Sequence, residues 1–146
     1  MNDSPAKAVA AFIGRIFLSA IFLLSGVSKI TDIEGTKGYM ASRSMPEAYI
    51  GILLIGAIAF ELAGGAAVLI GFQTRLGAAL LILFLIPTTL IFHNWWTFPP
   101  EEQQLQMIMF LKNLAIFGGL WLLVAFGPGT MSFDVGRSGP GSPPPG

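Results

Sequence analysis

The 146-residue chain has no cysteine. Its own residues therefore offer no disulfide, no thiolate nucleophile and no cysteine-held iron–sulfur cluster. A single histidine, His93, is present, which excludes a bis-histidine haem within the chain, and no metal site is expected. Charge is scarce as well. Asp, Glu, Lys and Arg make up 11% of the residues, where a soluble domain has roughly 25%. The formal net charge is zero, and no basic stripe marks a nucleic-acid partner.

Apolar residues are plentiful, at 53% of the chain. A bilayer core about 30 Å thick is crossed by roughly 20 mostly apolar residues in a helix. Four stretches reach that length: 8–30, 48–70, 76–96 and 105–126. In lipid only helices or a closed barrel satisfy the backbone. These runs are too long and too few for barrel strands, which are roughly 10 residues with strict alternation. The sequence therefore predicts an all-α membrane protein, an antiparallel four-transmembrane-helix bundle over residues 1–126. The lipid bilayer is its first partner.

The connections differ in kind. The first, "TDIEGTKGYMASRSMPE", is polar and rich in ionisable residues. The second, "GFQTR", is a tight turn with Gly71 as the stop. In the third, "TFPPEEQQ", Pro99 and Pro100 break the chain, and Glu101 and Glu102 suit the first turn of the next helix. Residues 127–146 hold six glycines and five prolines and are expected to be disordered. Lys7, Arg15 and "IFLSAIFLL" resemble a signal peptide, but the apolar run continues to Val27, which favours a retained span. The distribution of Lys and Arg tips the orientation toward cytoplasmic N- and C-termini.

Ionisable side chains inside a membrane face the bundle interior and seek partners. At 100° per residue, Arg15, Ser19, Phe22, Gly26 and Lys29 fall within about 40° of one line, an interior stripe for the first span. On the second span, Ala57, Glu61, Gly64 and Gly65 share a face, beside a row of Ala59, Ala63 and Ala67. Small residues allow close helix approach. They suit packing within one bundle ahead of a dimer, and a homo-oligomer remains compatible. Counted at 1.5 Å per residue from the segment ends, Arg15 lies about 10 Å deep and Glu61 about 13 Å deep from the same side. An Arg15–Glu61 structural ion pair is therefore expected. Lys112, with Asn113 beside it, lies about 10 Å from the opposite side, where His93 and Lys29 are also at hand. If Arg15 takes Glu61, Lys112 has no acid left in the membrane. That shortage marks Lys112, Asn113, His93 and Lys29 as candidate ligand-binding residues. Trp95 and Trp96 read first as an interfacial anchor, with Trp96 also a candidate for stacking on a ligand. Pro87 with Thr88 and Thr89 reads as a proline whose freed backbone groups nearby hydroxyls satisfy. No residue stands out as catalytic.

The order of "GRIFLSAIFLLSGVSKI", "FELAGGAAVLIGFQTRLGA", "FH" and "KNLAIFGGLWLL" resembles the DoxX family of small bacterial membrane proteins. The likeness covers about Arg15 to Phe126. It implies a four-helix protein of the bacterial inner membrane. Some members of that family are subunits of a thiosulfate–quinone oxidoreductase; others accompany redox-stress enzymes or respond to quinone-like electrophiles. No residue of the family is carried over as catalytic, and the lack of cysteine separates this chain from sulfur handling on its own.

The leading expectation is a redox-associated membrane subunit that binds a quinone or a similar lipophilic carbonyl compound. It has no intrinsic cofactor and draws electrons from an oxidoreductase partner. The alternative is a noncatalytic scaffold or assembly factor for such a complex. Transport of a small molecule or proton ranks third, since four helices are few for alternating access.

Overall fold

The computed structural model describes residues 4–134. Among these residues there are five α-helices and no strand: α1 (Pro5–Thr31), α2 (Ile33–Ser42), α3 (Glu47–Ile70), α4 (Thr74–Phe92) and α5 (Pro100–Phe126), with one 3-10 turn at Trp95–Thr97. Helices α1, α3, α4 and α5 are each long and apolar enough to cross a membrane. This is the all-α, four-helix membrane architecture that the sequence predicts. Several ends differ from the apolar runs. Pro5 and Pro100 occupy the first turns of α1 and α5, because a residue without an N–H loses nothing there. Helix α4 stops at Phe92, and Trp95 and Trp96 belong to the 3-10 turn. Within α4 the helix continues through Pro87, where Thr88 Oγ1 donates to the Phe84 carbonyl at 2.8 Å.

Helix α2 occupies the connection that the sequence presents only as polar. It is short and starts on a cap: Asp32 Oδ1 accepts from the Gly35 N–H at 3.0 Å, which satisfies one of the first-turn donors. After α2 the chain turns through Ser44, at φ 61°. Arg43 fixes that turn to the far side of the bundle. Its Nη2 donates to Asn94 Oδ1 at 2.6 Å, and its guanidinium carbon lies 3.9 Å from the Phe98 ring centroid, within cation–π range.

Lipid tails are as apolar as leucine, so membrane helices associate through close packing and polar contacts. Glycine provides that packing in one half of the bundle. A Cβ placed on Gly26 would lie 2.8 Å from Leu62 Cδ2, one on Gly64 2.7 Å from Leu81 Cγ, and one on Gly77 2.7 Å from Ala67 Cβ. Helices α3 and α4 thus meet at backbone distance and α1 lies close against α3, around Phe22, Val68, Ala78, Leu81 and Leu120, the main buried cluster. Toward α2 the pattern changes. Gly51 and Gly56 have nothing within 4 Å, and only the small cluster of Met40, Ile50 and Leu54 fills that end. The outward surface carries Phe17, Leu24, Ile55 and Phe126, all more than half exposed. In water this would be an aggregating surface; in lipid it is solvated.

Residues 127–134, the first part of the expected disordered tail, fold back onto the glycine-packed end. The carboxylate of Asp134 accepts from Gln73 N at 2.7 Å, Thr74 N at 3.0 Å and Thr74 Oγ1 at 2.9 Å, and Asp134 N donates to the Gly71 carbonyl at 2.8 Å. A side chain distant in sequence thereby caps the start of α4, the position an Asp favours. Phe133 packs edge-on against Phe72, with centroids 6.0 Å apart. Composition pointed to disorder because the capping partner lies some sixty residues away in the chain. Residues 135–146 of that expected tail lie outside the described residues.

Candidate functional site

The predicted stripe of the first span is the buried face of α1: Arg15, Ser19, Phe22 and Gly26 are all buried. Its pairing is not the expected one. Gly26 faces Glu61 and Leu62, and Gly65 faces Phe22 and Leu23. This register puts Glu61 level with Gly26, eleven residues or about 16 Å along the axis from Arg15. Arg15, only 1% exposed, instead reaches the end of α3. Its Nη1 donates to the carbonyls of Val68 at 3.5 Å and Leu69 at 3.4 Å, and its Nη2 to the carbonyl of Met131. The negative end of a helix dipole is a natural seat for a guanidinium. The Arg15–Glu61 expectation failed because depth was counted from segment ends taken as flush. Helix α1 extends past α3 at this end, so Arg15 lies at the turn and not at the level of Glu61.

Glu61 pairs with Lys29. The ammonium lies 3.0 Å from Oε1 and 2.9 Å from Oε2, and it also donates to Ser25 Oγ at 2.6 Å. Serine and lysine four residues apart share a helix face, which places both in front of the carboxylate. Glu61 is 2% exposed. In place of two polar layers, the molecule has an arginine clasp at one end and a single polar layer toward the other.

That layer lines a partly open cavity of about 730 Å³, the size of a small-ligand pocket, in the α2 half of the bundle. Lys29, Glu61, His93, Lys112 and Asn113 all line it, and Trp96 does not. Asn113, 7% exposed, donates from Nδ2 to Thr89 Oγ1 at 3.0 Å. His93 Nδ1 lies 2.9 Å from Gln106 Oε1; with that oxygen accepting, Nδ1 carries the proton. Lys112 is exposed, and its ammonium lies 3.2 Å from Met109 Sδ. Trp96 is 54% exposed and packs edge-on against Trp95 and Phe110, as an interfacial anchor would.

Helix α2 supplies residues that sequence reasoning missed. Tyr39 and Met40 form the cavity's end wall, and Tyr39 stacks on Phe92 with centroids 5.4 Å apart. Burial raises the Tyr39 phenol above its usual range; Arg43 opposes this and Glu102 adds to it. The hydroxyl therefore remains a donor at neutral pH. Only its place on α2 and its stacking on Phe92 link Tyr39, itself 45% exposed, to the site, and the polar sequence of this connection gave no signal of a helix. At the opposite end, burial works against ionisation of Asp134. The N–H groups of Thr74 and Gln73, the Thr74 hydroxyl and the Arg15 charge outweigh it and hold the carboxyl below the ordinary range. Among the described residues no three His, Asp or Glu side chains gather as a metal site would need.

An apolar-walled cavity with a buried ion pair, inside four lipid-facing helices, defines a multi-span membrane protein built around an internal polar layer. Comparison with known proteins gives the particular family. The DoxX family model matches residues 10–94. Inner membrane protein YqjF of Escherichia coli is 36% identical over 126 residues, covering 86% of this chain and 90% of that protein. Inner membrane protein YphA of the same organism is 33% identical over 129 residues, covering 88% and 91%. The chain belongs to the DoxX family, and it is an inner-membrane protein with four spans. A Surfeit locus protein 4 homolog of Drosophila melanogaster is 32% identical over 83 residues, 56% of this chain but 29% of that protein. No solved structure matches significantly.

Proposed function

We propose that the protein is a ligand-binding membrane subunit of quinone-linked redox metabolism, whose cavity takes a quinone or a similar lipophilic carbonyl compound. One observation carries this reading: the cavity sets Lys112, Asn113, His93 and the Lys29–Glu61 pair, with a few hydroxyls, among mostly apolar walls. A quinone head asks for that combination, with donors at carbonyl distance and apolar or aromatic faces on either side. Tyr39 and Phe92 supply aromatic surface and a hydroxyl donor. In this reading electrons come from an oxidoreductase partner. Titrating the purified protein with a quinone analogue tests the reading. Saturable binding is expected, weakened about tenfold by Lys112→Met, the size of losing one hydrogen bond to a charged group. No saturable binding, or affinity indifferent to Lys112→Met, would sink it.

A scaffold role for the same chain draws support from α5, the least buried of the four spans, which leaves a broad face for another membrane subunit. Stoichiometric co-purification with an oxidoreductase that persists unchanged in Lys112→Met, together with a failed quinone titration, would favour it.

A further inference from the structure

We propose that the cavity is loaded sideways from the bilayer, through the seam between α1 and α5, with Lys112 at its edge; the ligand is an amphiphile whose head passes Lys112 and whose tail remains between these two helices. This rests on the ligand reading above.

Three observations converge on the seam. First, α1 packs closely on α3, α3 on α4 and α4 on α5, while α1 and α5 scarcely touch. Leu18 and Gly119 mark where they do: a Cβ on Gly119 would lie 3.4 Å from Leu18 Cδ1. Second, Lys112 lies seven residues before Gly119. Seven residues bring a helix back to nearly the same face, about 10 Å along the axis. Lys112 is therefore on the α1-facing flank of α5, two turns toward the cavity from the point of contact. Since α1 and α5 run antiparallel, the Leu18–Gly119 contact sets Ile21 level with Ile116, and Ser25 level with Lys112. All four line the cavity, so the seam is one of its walls. Third, Lys112 is exposed although it is near the middle of a span, with a thioether for company. A charge facing hydrocarbon is costly, whereas one facing a water-filled cavity or its mouth is not. Ser25 and Lys29 lie just inside, so a head group moving inward leaves the Lys112 ammonium for the Ser25 hydroxyl and the ion pair. Its polar atoms meet partners along the way, while the tail never leaves apolar surroundings.

The absence of cysteine makes the test clean. In Ile21→Cys/Ile116→Cys the two thiols are joined with a short bis-methanethiosulfonate and released with reductant. Association and dissociation of a long-tailed quinone analogue are then followed by stopped flow in liposomes. Bridging is expected to slow both rates at least about tenfold, as when binding waits on a conformational change; reductant restores them, and ligand bound before bridging stays trapped. Ile116→Trp, a single change narrowing the same flank, is expected to slow the same rates without reagent. Unchanged rates in the bridged protein and in Ile116→Trp overturn the portal but leave the ligand reading standing. No saturable binding in the unbridged protein overturns both.

Discussion

The Lys29–Glu61 pair can be tested by a double-mutant cycle. The ammonium lies 2.9 Å and 3.0 Å from the two carboxylate oxygens. Unit charges at that distance attract by roughly 6 kcal/mol at an effective dielectric of about 20, before desolvation is subtracted. Removing one partner of a buried pair typically costs about 3–5 kcal/mol, because the other charge is left uncompensated. The two single changes should not be equal. The Glu61 side chain is 3% exposed and that of Lys29 21%, so the stranded carboxylate has less access to water than the stranded ammonium. Lys29→Met should therefore fall near the top of the range, and Glu61→Leu toward its lower end. The double variant should recover most of the loss, since a hydrophobic pair of similar volume is often neutral or stabilising. Arg15→Met supplies the contrast. Arg15 touches carbonyls at the end of α3, far from Glu61, so its effect should add to that of Glu61→Leu within about 0.5 kcal/mol. Denaturant titration in mixed micelles measures all these variants. A Lys29–Glu61 coupling under about 0.5 kcal/mol, or an Arg15–Glu61 coupling above about 1 kcal/mol, refutes the pairing, because contacting residues couple and distant ones do not.

Two further outcomes concern the glycine-packed end. Asp134 ionises below the ordinary carboxylate range in the folded protein, so its contribution is fully present above the unfolded-state value and is lost as pH falls through the lowered one. Asp134→Asn should remove that acid-side loss and, with the cap weakened, lower stability by about 1 kcal/mol at neutral pH; melting curves from pH 7 downward check both. A Cβ on Gly64 would lie 2.7 Å from Leu81 Cγ and 3.1 Å from the Gly77 carbonyl oxygen, so Gly64→Ala should destabilise by about 1–3 kcal/mol, whereas Gly56→Ala, with nothing within 4 Å, should be neutral in the same melts.

Some of this architecture is legible in the sequence and some is not, for physical reasons. Span length follows from membrane thickness, so the four long helices appear as apolar runs. Which face of a span turns inward follows from helical periodicity, so the Arg15, Ser19, Phe22 and Gly26 stripe can be read directly. Axial register between spans has no such local signal. It is set by where glycines let backbones meet, at Gly26, Gly64, Gly65 and Gly77, and by how far α1 overhangs α3. Counting depth from the run ends therefore gave Glu61 the wrong partner while placing Lys29 and Lys112 in the same region. Helix α2 was hidden for a different reason. It is short and polar, and what holds it, Tyr39 on Phe92 and Arg43 on the Ile91 carbonyl, depends on residues about fifty positions away. The Asp134 cap is likewise a contact between distant segments, where composition reports only the glycines and prolines around it.

The corrected pairing also changes what needs explaining. In the Arg15–Glu61 scheme both ions neutralise each other as a register device, and Lys112 alone calls for a ligand. In the structure Arg15 already has its carbonyls at the helix end, and the glycine contacts already fix the register of α1, α3 and α4. A buried ion pair adds little net stability over an apolar pair, so neither register nor stability accounts for Lys29 and Glu61. What distinguishes them is location: they face the cavity together with Ser25, Asn113 and Lys112, where the glycine contacts end at Gly26 and the hollow half begins. The tight half gives the helices fixed relative positions. That rigidity lets the other half remain hollow and hold charged groups at set distances without a tightly packed core around them. The pair is then an element of the cavity's chemistry, and its removal as a matched double variant should spare the fold while changing what the cavity binds.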